Sequence, residues 1–505
     1  MVKREVININ VWFVIGMGLL LPASAHAAYD NFKAAIGAAQ QKVEQKDFAA
    51  ARAAYEEALK LSPGDAEKVE ALLGIGHTYE NSEEDTVDFL GQKLGTKRMY
   101  AKARGEYEKI LRLPGVTAEQ KATAHLRIGE TLYRDADFKA AHAAYDTALQ
   151  MDGIPVSLKA GARLAIANLL ESSGDRRGAM AEYSTVAALE DVTVKQKVDA
   201  LRRLGSLQAR ERNYAAARDS YGKLFGLTDA SAEWRGIALL EIAETYASEK
   251  NYTAAHQEYA RAVALPGVHT GIQVQALLED GNLYATEKNA AAARDAWNKA
   301  AAIPNAPSYF ATSALMNVGK SYTEEKDLAA ARAAYEKVVT WPDALDTRKA
   351  EALEFIAATH LEAQDYPAAR AVLARVVALK DAYPNQKLNA LLNVGRLYVQ
   401  EKNYTAARGE FAKVETGEFP VTSKAQAQIL SGEVFLLEKN STAARQAFTR
   451  ALEHLEQETS PLLSQLVEDY RKAATQRLEG LKATGQPAPP APASRQGGGA
   501  SDATP

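Results

Sequence analysis

The chain has 505 residues, is 47% hydrophobic, and sets 60 basic against 64 acidic side chains for a net charge of −4. The charges are scattered, so no concentrated basic face marks the protein for nucleic acid. Cysteine is absent, which excludes disulfides, thiolate chemistry, cysteine-ligated zinc and a lipid-modified N-terminal cysteine.

Residues 1–27 read as an address. Lys3 and Arg4 precede an apolar run at 11–21 (VWFVIGMGLLL), and Ala25-His26-Ala27 has the small-x-small form of a cleavage site. The run is far shorter than the ~20 residues that span a bilayer, which fits a cleaved secretory signal. The mature chain is expected to start at Ala28, to carry no membrane span, and to be periplasmic or secreted.

From there one phrase recurs. It is DFAAARAAY at 47, DFKAAHAAY at 137, NYAAARDSY at 213, NYTAAHQEY at 251, DLAAARAAY at 327 and NYTAARGEF at 403, with looser copies between. Its second position falls at Phe48, Tyr100, Phe138, Arg176, Tyr214, Tyr252, Ala290, Leu328, Tyr366, Tyr404 and Ser441. The spacing is 38 from Tyr100 through Tyr404, with 52 before and 37 after. Self-similarity at a fixed period of this size predicts a repeat array. Each phrase opens the second helix of a hairpin, helix B, while segments such as 68–81, 235–249, 313–325 and 387–401 supply helix A with apolar residues three and four apart.

The joints follow from local chemistry. Asp47, Asp137, Asp175, Asn213, Asn251, Asn289, Asp327, Asp365, Asn403 and Asn440 stand where helix B needs an N-cap, and a cap explains them better than ligand chemistry. Thr117 with Gln120, Thr193 with Gln196, and Thr270 with Gln273 match the capping box for helix A. The second repeat carries roughly 15 extra residues at its A–B turn, including Glu83, Glu84, Asp85, Asp88, Phe89, Leu90, Lys93, Lys97 and Arg98. A surface loop or a lengthened helix pair is expected there. Residues 458–483, with Leu462, Leu463, Leu466, Val467, Tyr470 and Leu478 at helical spacing, are expected to close the array, since its last apolar face needs a cover. Residues 484–505, rich in Pro, Ala and Gly, read as a disordered tail.

The repeat around 390 reads Ala390, Leu391, Leu392, Asn393, Val394, Gly395 and Tyr398 in helix A, then Tyr404, Ala407, Phe411 and Val414 in helix B. This resembles the tetratricopeptide repeat, whose pattern is L-G-x-x-Y, then A-x-x-x-F, then Pro. In the first repeat the match, Phe48, Ala51, Tyr55 and Ala58, extends to Pro63. The resemblance covers about residues 30–457, although the period of 38 exceeds the family's usual 34. It implies an all-α fold, a right-handed superhelical solenoid of about eleven helical hairpins over 28–457 with a C-terminal capping helix.

It also implies that helix A lines a concave groove. Three residues before the helix-A Gly, or its equivalent, stand Leu73, Leu126, Leu164, Leu240, Leu278, Met316, Leu392 and Ile429, with Arg202 and Glu354 as exceptions. One residue after it stand His77, Glu130, Asn168, Glu244, Asn282, Lys320 and Arg396. Both rows are candidates for contact with a partner; the alternative for the leucines is that they are core, packed against the lengthened neighbouring helix. One branch of the family holds a chain-terminal carboxylate with Lys and Asn at these two slots; here the first slot is aliphatic in most repeats, so that clamp is not expected.

No HExxH, phosphate-cradling Gly loop or G-x-S-x-G occurs, so no catalytic residue, metal or cofactor is expected. The Arg of the repeated phrase (Arg52, Arg104, Arg218, Arg294, Arg332, Arg370, Arg408 and Arg445) reads as a structural partner for the Glu seven residues earlier, across the turn, as with Glu287 or Glu401. His142 and His256 occupy that Arg slot, and His360 the slot of a helix-A Tyr. The function expected is an exported, non-enzymatic scaffold that binds an extended polypeptide of the cell envelope. An architectural spacer, or a helical-toroid enzyme acting on glycans, is the alternative.

Overall fold

The structure is a computed structural model that describes residues 23–87, 93–456 and 463–483. Its described residues are overwhelmingly helical and fall into two compact units, dividing between Thr245 and Tyr246. The first unit runs through α1 (Ala23–Glu44), α2 (Phe48–Leu61), α3 (Asp65–Glu80), β1 (Glu83–Val87), β2 (Lys93–Arg98), α4 (Tyr100–Leu111), α5 (Ala118–Arg134), α6 (Phe138–Leu149), α7 (Val156–Ser172), α8 (Arg176–Ala188), α9 (Val194–Arg210) and α10 (Tyr214–Phe225). Helix α11 (Ala232–Ser248) carries the division. The second unit contains α12 (Tyr252–Ala264), α13 (Thr270–Thr286), α14 (Ala290–Ala302), α15 (Ser308–Glu324), α16 (Leu328–Val339), α17 (Asp346–Glu362), α18 (Tyr366–Ala378), α19 (Pro384–Gln400), α20 (Tyr404–Thr416), α21 (Val421–Leu437), α22 (Ser441–Glu456) and α23 (Ser464–Ala483). Every B helix begins on the residue that the repeated phrase marks.

Outside the second repeat, the A–B turn is built the same way each time. The residue before the cap takes a left-handed conformation: Lys46, Ala136, Arg212, Lys250, Lys288, Lys326, Gln364, Lys402 and Lys439, and once a glycine, Gly174. The next amide then bonds back across the end of helix A, as from Asn403 to the Tyr398 carbonyl at 2.8 Å, the Schellman closure. That same residue caps helix B. All ten Asn or Asp side chains accept from the amide three residues on, for example from Ala50 to Asp47 at 3.1 Å and from Ala443 to Asn440 at 3.1 Å.

At the start of helix A, Thr117–Gln120 and Thr193–Gln196 form full capping boxes. Thr270–Gln273 does not. Helix α13 starts one residue earlier than a Thr270 cap requires, and His269 Nδ1 accepts from the Gly271 amide at 3.0 Å. Gln273 instead reaches back to the Val263 carbonyl at 3.0 Å.

Between the helices of a hairpin, the B-helix aromatic lies on the helix-A glycine. A Cβ on Gly76 would stand 2.2 Å from the Tyr107 ring, and one on Gly319 or Gly395 would stand 2.3 Å from Tyr335 or Phe411. These rings are almost wholly buried. The next helix A covers the hairpin's other side, so the apolar core is a chain of local clusters, as around Tyr107, Ile110 and Ile128 or around Tyr335, Leu353 and Leu373.

The insertion in the second repeat is a two-stranded antiparallel ribbon, neither a loop nor a longer helix pair. Glu83 pairs with Arg98 and Glu84 with Lys97, and the Arg98–Glu83 ion pair is 3.1 Å. An acidic run facing a basic run of similar length gives opposite charges at opposed positions, which favours a ribbon over a loop. Asp88, Phe89 and Leu90 lie outside the described residues, as do residues 1–22 and the C-terminal 22 residues.

Helix α23 packs on α22 and α21, with Val467, Ala474 and Leu481 buried beside Phe448 and Leu455. Leu466, expected on the covering stripe, is exposed instead, because Val467 sets the buried phase of the helix. Leu462 lies outside the described residues.

Candidate functional site: the helix-A face

The aliphatic row divides. Leu240 (4% exposed), Leu278 (8%), Met316 (2%) and Leu392 (2%) are core residues, and Leu73, Leu126 and Leu164 are half-buried. These side chains sit one turn before the glycine, where the neighbouring helices close over the residue. Leu278 packs with Trp297 and Val318, and Met316 with Tyr335 and Leu353. These four, and Ile429 with them, therefore cannot line an open groove: the groove role is corrected and the core alternative holds for them.

The polar row is reachable, and the structure ties much of it down. Glu244, Lys320 and Arg396 are exposed. Lys320 Nζ lies 5.4 Å from the Phe355 ring centre, and Arg396 donates to Asn393 at 3.0 Å. Asn168 accepts from the Tyr183 hydroxyl at 2.6 Å. Asn282 accepts from the Trp297 indole and from Asn317, both at 3.1 Å, and donates to Glu279 at 3.0 Å. Glu130 holds Arg134 at 2.8 Å, and the His77 ring is 3.8 Å from Glu80. The Tyr183 hydroxyl and the Trp297 indole thus come out at this row. Tyr107 donates to Glu80 at 2.7 Å in the same way.

The two exceptions in the aliphatic row carry charges that burial leaves incompletely paired. Arg202, on α9, is half-buried with its guanidinium 5.8 Å from the Trp234 ring, and its buried Nε has no hydrogen-bond acceptor. Asp199, one turn before it, has its pKa raised by burial against the pull of Arg202, Lys195 and Arg203. Glu354, on α17, is half-buried and makes no hydrogen bond or ion pair with another side chain among the described residues. Burial and the nearby Glu351 raise its pKa, while Glu351 itself is held by Arg348 at 2.6 Å. A charge in a slot that other repeats fill with a buried aliphatic costs stability unless something pairs with it. Sequence reading named both as exceptions without seeing that burial makes them notable.

The Arg of the repeated phrase pairs forward to the following repeat, and not back across its own turn as expected. Arg294 stacks 4.3 Å over Tyr322 and bonds Glu325 at 2.9 Å, Arg370 lies over Tyr398 and pairs with Glu401, and Arg408 lies over Phe435 and pairs with Glu438. Helix B turns this side chain away from its own helix A, so the carboxylate within reach ends the next one. Among the described residues no group of three or more His, Asp or Glu side chains is arranged to hold a metal ion.

Models of the tetratricopeptide repeat match residues 30–65 and 312–344, and a tetratricopeptide repeat-like domain model matches 345–471. Over these segments the chain carries tetratricopeptide repeats. No curated protein sequence matches it. Among solved structures, the repeat protein is similar to PilF of Pseudomonas aeruginosa, with 15% identity, TM-score 0.32, 46% of this chain and 97% of that one. It is also similar to MamA, with 22% identity, TM-score 0.27, 37% of this chain and 97% of that one. The C-terminal part of a repeat-containing protein from Cytophaga hutchinsonii gives 14% identity, TM-score 0.33, 58% of this chain and 94% of that one.

Proposed function

We propose that this repeat protein is an exported, non-enzymatic scaffold that holds an extended polypeptide of the cell envelope against its helix-A faces. The observation that carries the reading is the pair of half-buried, under-satisfied charges, Arg202 in the first unit and Glu354 in the second. A spacer has no use for such groups and would fill both slots with leucine, as its other repeats do. A binding face uses them, because a partner's opposite charge recovers the cost of burying them. The exposed Glu244, Lys320 and Arg396 complete the reachable surface.

Capture from an envelope fraction by the immobilised mature chain tests this. Lys320→Glu with Arg396→Glu is expected to lose the captured polypeptide while the melting temperature stays within a few degrees. Leu278→Glu with Met316→Glu is expected to abolish folding, because both residues are core. Unchanged capture by the Lys320/Arg396 variant would remove the polar row from the interface.

Export rests on the residues before Ala28. A cut at that point would leave intact the first core residues of α1, Phe32, Ile36 and Ala39, so processing is compatible with the first hairpin. N-terminal sequencing of the protein from the envelope should read Ala28 first. A cytoplasmic protein retaining Met1 would overturn the assignment.

A further inference from the structure

Inter-repeat staples in this protein are usually made by arginine, whose charge does not change with pH. At the junction of α12 and α13 the slot holds His256. Its Nδ1 lies 2.5 Å from Asp280 on α13 and its Nε2 2.7 Å from Glu287, the C-cap of α13, and the ring stacks on Tyr284 at 3.9 Å and 19°. His142, the other histidine in this slot, meets only Asp146 of its own helix at 2.9 Å, so it staples nothing. The arrangement at His256 copies that of Arg294, which lies over Tyr322 and against Glu325 one repeat later.

A neutral imidazole has one N–H and one lone pair; only imidazolium can donate from both nitrogens. With carboxylate oxygens against both ring nitrogens, the two-sided contact belongs to the charged ring. In the neutral form one nitrogen lone pair would face a carboxylate at hydrogen-bond distance, and that contact turns repulsive. We propose that His256 is an acid-set latch, in which imidazolium clamps α13 to α12 and loss of its proton releases one side of the clamp.

The surroundings agree in sign. Burial pulls the His256 pKa down, but the hydrogen bonds and charges of Asp280 and Glu287 outweigh it, and the net shift is upward from 6.5. A histidine raised in the folded state contributes stability that is fully present below its unfolded value and is lost as pH rises through its folded one. Asp280 is raised by burial, with His256 and Lys299 opposing, so it also favours acid, in a lower window above 3.8. The remaining groups facing the site do not oppose the latch. The Tyr284 hydroxyl is raised by burial and the two carboxylates, and Lys299 of α14 is held by Asp295 at 2.6 Å. On His256's own helix, Glu258 is held by Arg261 at 2.6 Å. The neighbouring arginine staples keep their charge throughout, which confines the response to this junction.

The test is an imidazole NMR titration of the full mature chain, with the His256 resonance identified by its loss in His256→Arg. It is paired with amide hydrogen exchange across α12 and α13 between about pH 5 and pH 8, the range in which histidine switches. The expected midpoint lies above 6.5 and moves down in both Asp280→Asn and Glu287→Gln. After correction for intrinsic exchange, protection at this junction should fall through the same midpoint in the wild type and stay level in His256→Arg. That variant restores the residue other junctions use, so it is expected to fold. A midpoint at or below 6.5, or the same loss of protection in His256→Arg, would overturn the proposal.

Discussion

Two adjacent residues at each A–B turn do opposite things to stability. Asn403 caps α20 by accepting the Ala406 amide at 3.2 Å, while Lys402 before it is held at φ 61°, where its Cβ crowds the following carbonyl. Asn403→Ala is therefore expected to cost about 1 kcal/mol. Lys402→Gly is expected to gain about 0.5–1 kcal/mol, the relief of left-handed strain less the entropy of glycine. Urea unfolding of the two single variants and the double variant measures both. Opposite signs that cancel in the double variant are the expected outcome.

Helices are joined by two kinds of contact, and each makes a prediction. Arg294→Ala removes a guanidinium that is only 15% exposed, together with its stack on Tyr322 and its bond to Glu325. A loss of about 0.5–2 kcal/mol is expected, more than an exposed ion pair gives, because the stack is partly desolvated. Chemical denaturation checks it, with Arg332→Ala, whose contact to Thr359 is a long 3.5 Å, as the weaker comparison. Glu80 tests the ring-on-glycine contact. Burial raises its pKa, but His77, Arg127 and Tyr107 draw it below 4.5 on balance. A carboxyl depressed in the folded state stabilises above its unfolded value, and that stability is lost as pH falls through the folded one. Acid unfolding of the wild type should therefore steepen below 4.5 and flatten in Glu80→Gln. Glu80→Ala, which leaves the Tyr107 hydroxyl without its acceptor, should cost about 1–3 kcal/mol at neutral pH.

Across the whole molecule, cohesion is local, since each hairpin depends on the helices beside it and two compact units divide the chain. An array of this kind does not unfold as one all-or-none step. Helix-sensitive circular dichroism and the fluorescence of Trp234, Trp297 and Trp341 should give non-coincident urea transitions. Asn403→Ala should move only part of the transition. Coincident curves shifted as a whole would show a cooperativity that nearest-neighbour packing does not supply.

What the sequence determined by itself was everything that acts within a few residues. The caps from Asp47 to Asn440, the starts of the B helices and the Gly under most of the rings depend on atoms three or four positions apart or on a repeated phrase, so the phrase carries them. The reading failed where the partner lies a repeat away. Glu401 could pair with Arg370 or Arg408, and only the direction in which helix B turns its side chains chose Arg370. Leu278 and Met316 lie on a helix face that could be open or covered, and only the neighbouring helix decided that they are core. Thr270 missed its cap by one residue because His269 could fill the role. The ribbon at Glu83–Arg98 needed two charge runs to find each other across a turn. His256, Arg202 and Glu354 looked like drift from the repeat, and tertiary structure gave them meaning, because the worth of a charge depends on burial and on what faces it.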